Sequence, residues 1–545
     1  MEDQEKVTYF AETDSRHNRK KFGIKSKDRS KHIYVIGKTG MGKSTLLENM
    51  AVQDIQSGNG LAFIDPHGGT AEKLLEYVPK ERIKDVIYFA PFDTDHPISF
   101  NVMEDVGANK RHLVVNGLMS VFEKIWEDAW SARMAYILQN TLLALLEYPG
   151  ATLLAVNRMY TDKEFRNKVV ENVTDISVKS FWVDEYAKYT DKYATEATPA
   201  IQNKIGQFAG NPLIRNIIGQ PKSSFDLRKI MDEKKIMIVN LSKGRVGEGN
   251  ARLLGSMLIT KLYLAAMSRA DEKAVSLAKL PQFYLYVDEF QSFADKSFAD
   301  ILSEARKYKL NLTMAHQYIE QMEEEVRDAV FGNVGTMIAF RVGAYDAEVL
   351  EKEFAPTFTV EDIVSLGLRQ IYLKLMIDSV SSPPFSASTL PPIAVPETSY
   401  VDLIVESSRK QFSRPKDEVE KLIVDWHEEG KNVNSSPQTK NKLEPESREP
   451  KTIDFRGKKD TEYKEFKNPA PFIPSTAPPP LASLEKLKVQ NNNQRKPDAK
   501  HVSDLRDALK AVTGGSKAPS GVENSKPKDK SGPSPDELKK IFDGK

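Results

Sequence analysis

The run Gly37-Lys38-Thr39-Gly40-Met41-Gly42-Lys43-Ser44 constrains this chain more than any other stretch. It fits the pattern G-x-x-x-x-G-K-S/T, with an apolar strand pattern, His32–Ile36, entering it and a helical pattern, Ser44–Gln53, leaving it. Glycines let the backbone curl so that successive N–H groups face inward, and the following helix adds about half a positive charge at its N-terminus. The expected product is a cradle for the phosphates of a nucleotide, built by Gly37, Lys38, Thr39, Gly40, Met41 and Gly42. Lys43 is expected to reach the β- and γ-phosphates, Ser44 to ligate Mg²⁺, and Thr45 to bond the α-phosphate of ATP.

Cleaving a triphosphate also requires acid at the end of a buried strand. Phe283-Tyr284-Leu285-Tyr286-Val287-Asp288-Glu289 supplies two carboxylates there. Asp288 is expected to hold Mg²⁺ through water, and Glu289 to orient or deprotonate the attacking water. A second strand pattern, Leu310–Ala315, ends in His316 and Gln317; the amide of Gln317 is suited to sensing the γ-phosphate or positioning water. A third ends in Asp65-Pro66-His67-Gly68-Gly69, where Asp65 is placed to shape the magnesium or water site. His67 has no second histidine or carboxylate at metal-ligand spacing and is not read as a zinc ligand. His316 is read as structural.

Around these motifs strands and helices alternate. Candidate strands are Ile33–Ile36, Leu61–Ile64, Val86–Phe89, Ile236–Leu241, Phe283–Val287, Leu310–Ala315, Thr336–Phe340 and Ile371–Ile377. Short apolar runs followed by helical patterns imply an α/β fold with a mostly parallel sheet covered on both faces. Between the third and fourth of these strands the rhythm changes to consecutive amphipathic helices: His112–Trp126, Trp130–Glu147, Asp162–Asn172 and Lys179–Tyr189. The expected organisation is a basic N-terminal arm (1–30), a first nucleotide-binding part (31–106), an all-α insertion (107–232) and a second nucleotide-binding part (233–395). A connecting helical region (396–430) and a tail (431–545) follow.

The 545 residues carry a net charge of +1, which names no partner. The tail holds about +8 of it, leaving about −7 on residues 1–430. Proline-rich and poor in apolar residues, the tail is expected to be disordered, with two locally helical stretches, Val502–Val512 and Pro535–Phe542. The absence of cysteine excludes disulfides, thiolate zinc sites and a cysteine nucleophile. No signal peptide or membrane span is legible: the most apolar long window, Met134–Val156, is broken by Pro149-Gly150. The expectation is a cytoplasmic protein that reaches a membrane only through partners.

The combination GKTGMGKST, FIDPHGG, FYLYVDEFQ and ARKYKLNLTMAHQ resembles the HerA–FtsK superfamily of DNA-translocating ATPases. Within it, about residues 20–395 are most similar to the type IV secretion coupling proteins of conjugative DNA transfer, the TraG/TraD-like group. The resemblance implies a RecA-like P-loop ATPase domain interrupted by an all-α domain. It further implies a homo-hexameric ring with ATP between subunits, moving DNA through its channel. It makes Arg306, in Ala305-Arg306-Lys307-Tyr308, the arginine that acts on a neighbour's ATP, with Arg341 and Arg215 as weaker candidates. Partners implied are a relaxase and secretion-channel or membrane-anchor subunits.

Eight basic residues and one acidic, Asp28, between Arg16 and Lys31 are suited to phosphate contacts. No base-reading motif is present, so DNA contact is expected to be sequence-nonspecific. Two other readings are a HerA-like DNA-processing helicase that works with a nuclease, and an ATP-regulated substrate-recruitment scaffold.

Overall fold

Seven strands run parallel along one side of a mixed sheet, out to its edge. In the computed structural model, which describes residues 5–14, 19–189 and 198–428, the strands are β1 (Val7–Thr13), β2 (Lys21–Lys25), β3 (Ile33–Ile36), β4 (Gly60–Asp65), β5 (Val86–Phe89), β6 (Ile236–Asn240), β7 (Phe283–Val287), β8 (Leu310–His316), β9 (Thr336–Ala339), β10 (Gln370–Lys374), β11 (Met376–Ile377), β12 (Val380–Ser381) and β13 (Phe385–Thr389). The sheet order is β2-β1-β13-β10-β9-β3-β8-β7-β4-β6-β5. From β9 to β5 every pairing is parallel. From β9 to β2 every pairing is antiparallel.

The parallel strands are apolar on both sides because both sides are covered. Along β3, Ile33 and Val35 join one core cluster while Tyr34 and Ile36 join the other. The helix Lys43–Gln56 packs on the first face through Leu46, Leu47 and Met50. Glu324–Asn333 and Ala344–Phe354 pack on the second through Val330, Ala347 and Leu350.

Between β5 and β6 every regular element among the described residues is helical. Three of the expected helices lie there as Arg111–Ile125, Ala132–Leu146 and Lys163–Asn172. The fourth, expected over Lys179–Tyr189, is instead a short α-turn, Ile176–Ser180, continued by a π-turn and a 3₁₀ turn. An aromatic cluster sets this geometry: Phe181 meets Trp182 edge-on at 5.2 Å, and Trp182 lies 4.6 Å from Tyr186. After the sheet, Val401–Phe412 packs beside β5, and Lys416–Glu428 returns to the helical insertion, where Trp426 accepts a hydrogen bond from Arg158 at 3.0 Å. No helix among the described residues is long and apolar enough to cross a membrane.

Residues expected to form a basic arm instead build β1 and β2 and extend the sheet. Most of the arm's described charge is already engaged. Lys25 and Lys27 pair with Glu5 and Asp378, and Arg19 pairs with Glu12. Arg29 is buried. Its guanidinium forms two bonds to Asp54, at 2.8 and 2.9 Å, bonds Tyr286 at 2.7 Å and stacks 3.6 Å over Tyr284. The phosphate-contacting role expected for this stretch therefore does not extend to Arg29. Ile371–Ile377, expected as one strand, breaks at Leu375, whose N–H bonds Ser382 Oγ at 3.0 Å. The tail and its two candidate helices lie outside the described residues.

Candidate active site

The site forms where β3, β8 and β7 end side by side, with β8 between the phosphate loop and the two carboxylates. In a parallel sheet these ends share one edge, and the loops leaving them define a crevice there. The loop after β3 is pinned to both neighbouring strands: Gly37 N–H donates to His316 O at 3.2 Å and Lys38 N–H to Arg341 O at 2.8 Å. A side chain at Gly37 would put its Cβ 2.5 Å from Phe340 Cβ. Gly42 has φ 116°, in the left-handed region where an L side chain is strained. Both positions require glycine.

Lys43 opens the helix and is buried. Its ammonium donates to Gly37 O at 2.6 Å and Lys38 O at 3.2 Å. Burial lowers its pKa, against the pull of Glu289 and Asp288. Next to it, Ser44 Oγ donates to Asp288 Oδ2 at 3.0 Å. Burial raises the pKa of Asp288, and the like charges of Glu289 and Asp65 add to the effect.

Glu289 turns out of β7 with φ 48°. Its carboxylate accepts from Gln291 Nε2 at 2.6 Å and from Gln317 Nε2, while His67 Nε2 stands 3.8 Å away. Burial alone would raise its pKa. The imidazole of His67 close by, the donors Gln291 and Gln317 and the charge of Lys43 outweigh that and hold it at about 2. The nearby Glu289 carboxylate correspondingly raises the pKa of His67, whose side chain is largely exposed. Gln317 also accepts from Thr39 Oγ1 at 2.9 Å, so one amide links the tip of the phosphate loop to Glu289.

Asp65 is occupied by its own loop. Its carboxylate accepts the N–H groups of His67, Thr70 and Ala71 at 2.8–2.9 Å, closing the turn into the helix Gly69–Glu76. It touches the site through its charge on Asp288. His316 is buried with Nδ1 at 3.0 Å from Tyr34 OH, and burial lowers its pKa to about 4. It stays neutral near pH 7.

Three arginines fall in three different places. Arg306 lies in the 3₁₀ turn Ala305–Tyr308, just before β8 begins. It is exposed, and its guanidinium makes no hydrogen bond or ion pair among the described residues. All seven residues of β8 separate it from Gln317, roughly 20 Å at about 3.3 Å per residue. It therefore sits at the opposite edge of the sheet from its own phosphate loop. Arg341 is exposed beside that loop. Arg215 lies in the helical insertion, 3.8 Å from Glu420.

Gln291 is the site residue that sequence reasoning missed. It lies inside the motif FYLYVDEFQ, but only the turn Phe290–Ser292 brings its amide back onto Glu289.

Among the described residues no group of three or more His, Cys, Asp or Glu could hold a metal by itself. The donors present are hard oxygens, a hydroxyl and a buried carboxylate in contact. That set suits Mg²⁺ shared with phosphate oxygens and water. A cation there would also relieve the burial cost on Asp288.

Residues 4–342 match the family described as type IV secretory system conjugative DNA transfer. No curated protein matches the chain. Among solved structures, the plasmid coupling protein TrwB in complex with ADP and Mg²⁺ is 15% identical, with a TM-score of 0.51 over 73% of this chain and 98% of that one. The trigonal form of the bacterial conjugative coupling protein TrwBdeltaN70 with sulphate is also 15% identical, with a TM-score of 0.52 over 72% and 95%. At this identity the likeness is one of fold: the parallel sheet and its helical insertion have the TrwB architecture.

Proposed function

The chain belongs to the type IV secretory system conjugative DNA transfer family, and from that premise we propose that it is a Mg²⁺-dependent ATPase that drives DNA toward a type IV secretion channel. The observation that carries this reading is the set of contacts across β8. Ser44 meets Asp288, while Gln317 joins Thr39 to an ionised Glu289. The TrwB structure that holds ADP and Mg²⁺ supports the choice of ligand.

In this mechanism the N–H groups of Gly37 to Ser44, with Thr45, hold the phosphates. Lys43 leaves the carbonyls of Gly37 and Lys38 for the β- and γ-phosphate oxygens. Ser44 and, through water, Asp288 would hold Mg²⁺, which when bound neutralises charge between the β- and γ-phosphates. Glu289, held ionised, orients the attacking water and takes up its proton. Gln317 senses the γ-phosphate through Thr39 and aligns Glu289.

Arg306 is at the wrong edge to serve its own nucleotide. In a head-to-tail ring, one copy's edge faces the opposite edge of the next, and the neighbour's pocket comes within reach. We therefore assign Arg306 to a neighbouring subunit's ATP in a homo-hexamer. DNA contacts are sequence-nonspecific, as a motor stepping along any sequence requires. Relaxase and channel or membrane-anchor subunits are the partners that such a role calls for. The direct test is ATP hydrolysis by the purified full chain beside Lys43→Ala. The reading requires magnesium-dependent turnover that the variant lacks; equal rates from both would refute it.

A further inference from the structure

A second concavity lies away from the phosphate loop, where the helical insertion joins the sheet. It is a cavity of about 930 Å³, at the upper end of the range found for small-molecule pockets. Both connections of the insertion line it, through Glu104–Val106 and Ser223–Ile230, and so does the helix Glu248–Met267. Phe100, Val114, Leu264 and Phe412 give it an apolar wall. Stacking of Phe100 on Phe225, with centroids 5.9 Å apart, stiffens the floor.

Five lysines and arginines line the cavity beside five carboxylates, Glu104, Asp105, Asp226, Glu233 and Asp271, so any anion site there depends on local pairing rather than on net charge. Lys110 is paired with Asp271, Arg228 with Asp232 and Glu272, and Lys235 with Asp85. Lys229 is exposed. Lys261 differs from all of these. It is half-buried and makes no hydrogen bond or ion pair among the described residues. Glu104, the carboxylate that acts on it, is out of contact and accepts Ser223 N–H at 3.1 Å. Burial lowers the pKa of Lys261 despite Glu104. A partly desolvated ammonium with no direct counterion is costly, and a ligand anion would offset that cost.

We propose that this cavity binds an amphipathic organic monoanion, with its carboxylate on Lys261 and its apolar body against Phe100, Val114, Leu264 and Phe412. One ammonium that is both unpaired and partly buried calls for one negative charge, since Lys229 keeps its water, and the apolar wall calls for a hydrocarbon or aromatic body. Bound there, the ligand would bridge both connections of the helical insertion and the end of the helix Val401–Phe412.

The test uses decanoate below its micelle concentration, with 1-decanol as the uncharged control, titrated calorimetrically into the full chain. Saturable binding of one decanoate per chain is expected, with 1-decanol weaker by about tenfold or more, the value of a charge-assisted hydrogen bond. Lys261→Met should weaken decanoate by the same factor. Leu264→Trp, which fills the cavity and keeps the charge, should abolish binding, with thermal unfolding confirming that both variants fold. As a readout that needs no variant, decanoate should protect Lys261 from acetylation by acetic anhydride, followed by peptide mass spectrometry. No saturable binding, equal affinity for 1-decanol, or unchanged affinity in Lys261→Met would overturn the proposal. It stands apart from nucleotide hydrolysis, since Lys43→Ala should bind decanoate normally.

Discussion

Ser44 donates its hydroxyl to Asp288 Oδ2 at 3.0 Å, joining residues 244 positions apart in the chain. The strands that carry them, β3 and β7, are not neighbours; β8 runs between them and brings Gln317 to the same edge. The phosphate loop, Asp288, Glu289 and Gln317 thus meet through sheet order rather than sequence proximity. Each position makes a separate demand on the chemistry.

Glu289→Gln keeps the shape of the site and removes the carboxylate proposed as base. Hydrolysis should fall by about 10²–10⁴, the usual contribution of a positioned general base. Nucleotide binding should persist, because the residue touches the water rather than the phosphates. Single-turnover hydrolysis beside fluorescent-nucleotide binding separates the two; normal turnover would remove Glu289 from its assigned role.

The hydrogen bonds that hold Glu289 at about 2 make a pH prediction. Its folded pKa is depressed from an ordinary 4.5, so the stability it contributes is complete above pH 4.5 and lost as pH falls through about 2. Gln317→Leu removes one donor, and the acid limb of the pH–rate profile should shift upward, toward the ordinary carboxylate range. An unshifted limb would show that Gln317 does not tune Glu289.

Asp288 behaves in the opposite sense. Burial raises its pKa, so keeping it ionised near neutral pH works against the fold. Asp288→Asn should therefore unfold at a higher temperature than the parent without ligand, and should lose the stabilisation that Mg²⁺ with ATP confers. That stabilisation is about 2.7 kcal/mol at a hundredfold excess over Kd in the parent. Thermal unfolding with and without Mg²⁺ and ATP reads both effects.

Arg29 and Asp54, both about 1% exposed, anchor the region beneath β7. Asp54→Ala would leave the guanidinium buried with only neutral partners, the hydroxyls of Thr8 and Tyr286 and the ring of Tyr284, and should cost about 3–5 kcal/mol by denaturant unfolding. A loss near zero would mean that water reaches Arg29.

If Arg306 acts on a neighbour's ATP as proposed, Arg306→Ala subunits should poison mixed rings out of proportion to their number. Activity that declines in linear proportion to the mutant fraction would show that Arg306 is not shared between subunits.

The parallel strands and the phosphate loop were legible because their residues obey strong local rules: β3, β5 and β7 lie at their expected bounds. The antiparallel extension was not. KFGIK and FSAST are short and half-polar, and they become strands by pairing, the first with Val7–Thr13 and the second between Val7–Thr13 and Gln370–Lys374. Arg29 reads as one more charge in a basic stretch until Asp54, Tyr284 and Tyr286 fold around it. Asp65, at a strand end, reads as shaping the magnesium or water site, whereas the turn it closes takes up its oxygens. Gln291 has no motif of its own, and its part depends on a backbone turn invisible in composition.

The central claim is that subunits share each nucleotide pocket and use hydrolysis to move DNA. The most direct measurement is the ATPase rate of the full chain with single-stranded DNA, duplex DNA and no DNA, with assembly size followed in the same samples. The account predicts that DNA raises both the rate and the fraction assembled into rings. A protein that stays monomeric with saturating ATP and DNA, and leaves the ATP intact, would contradict it.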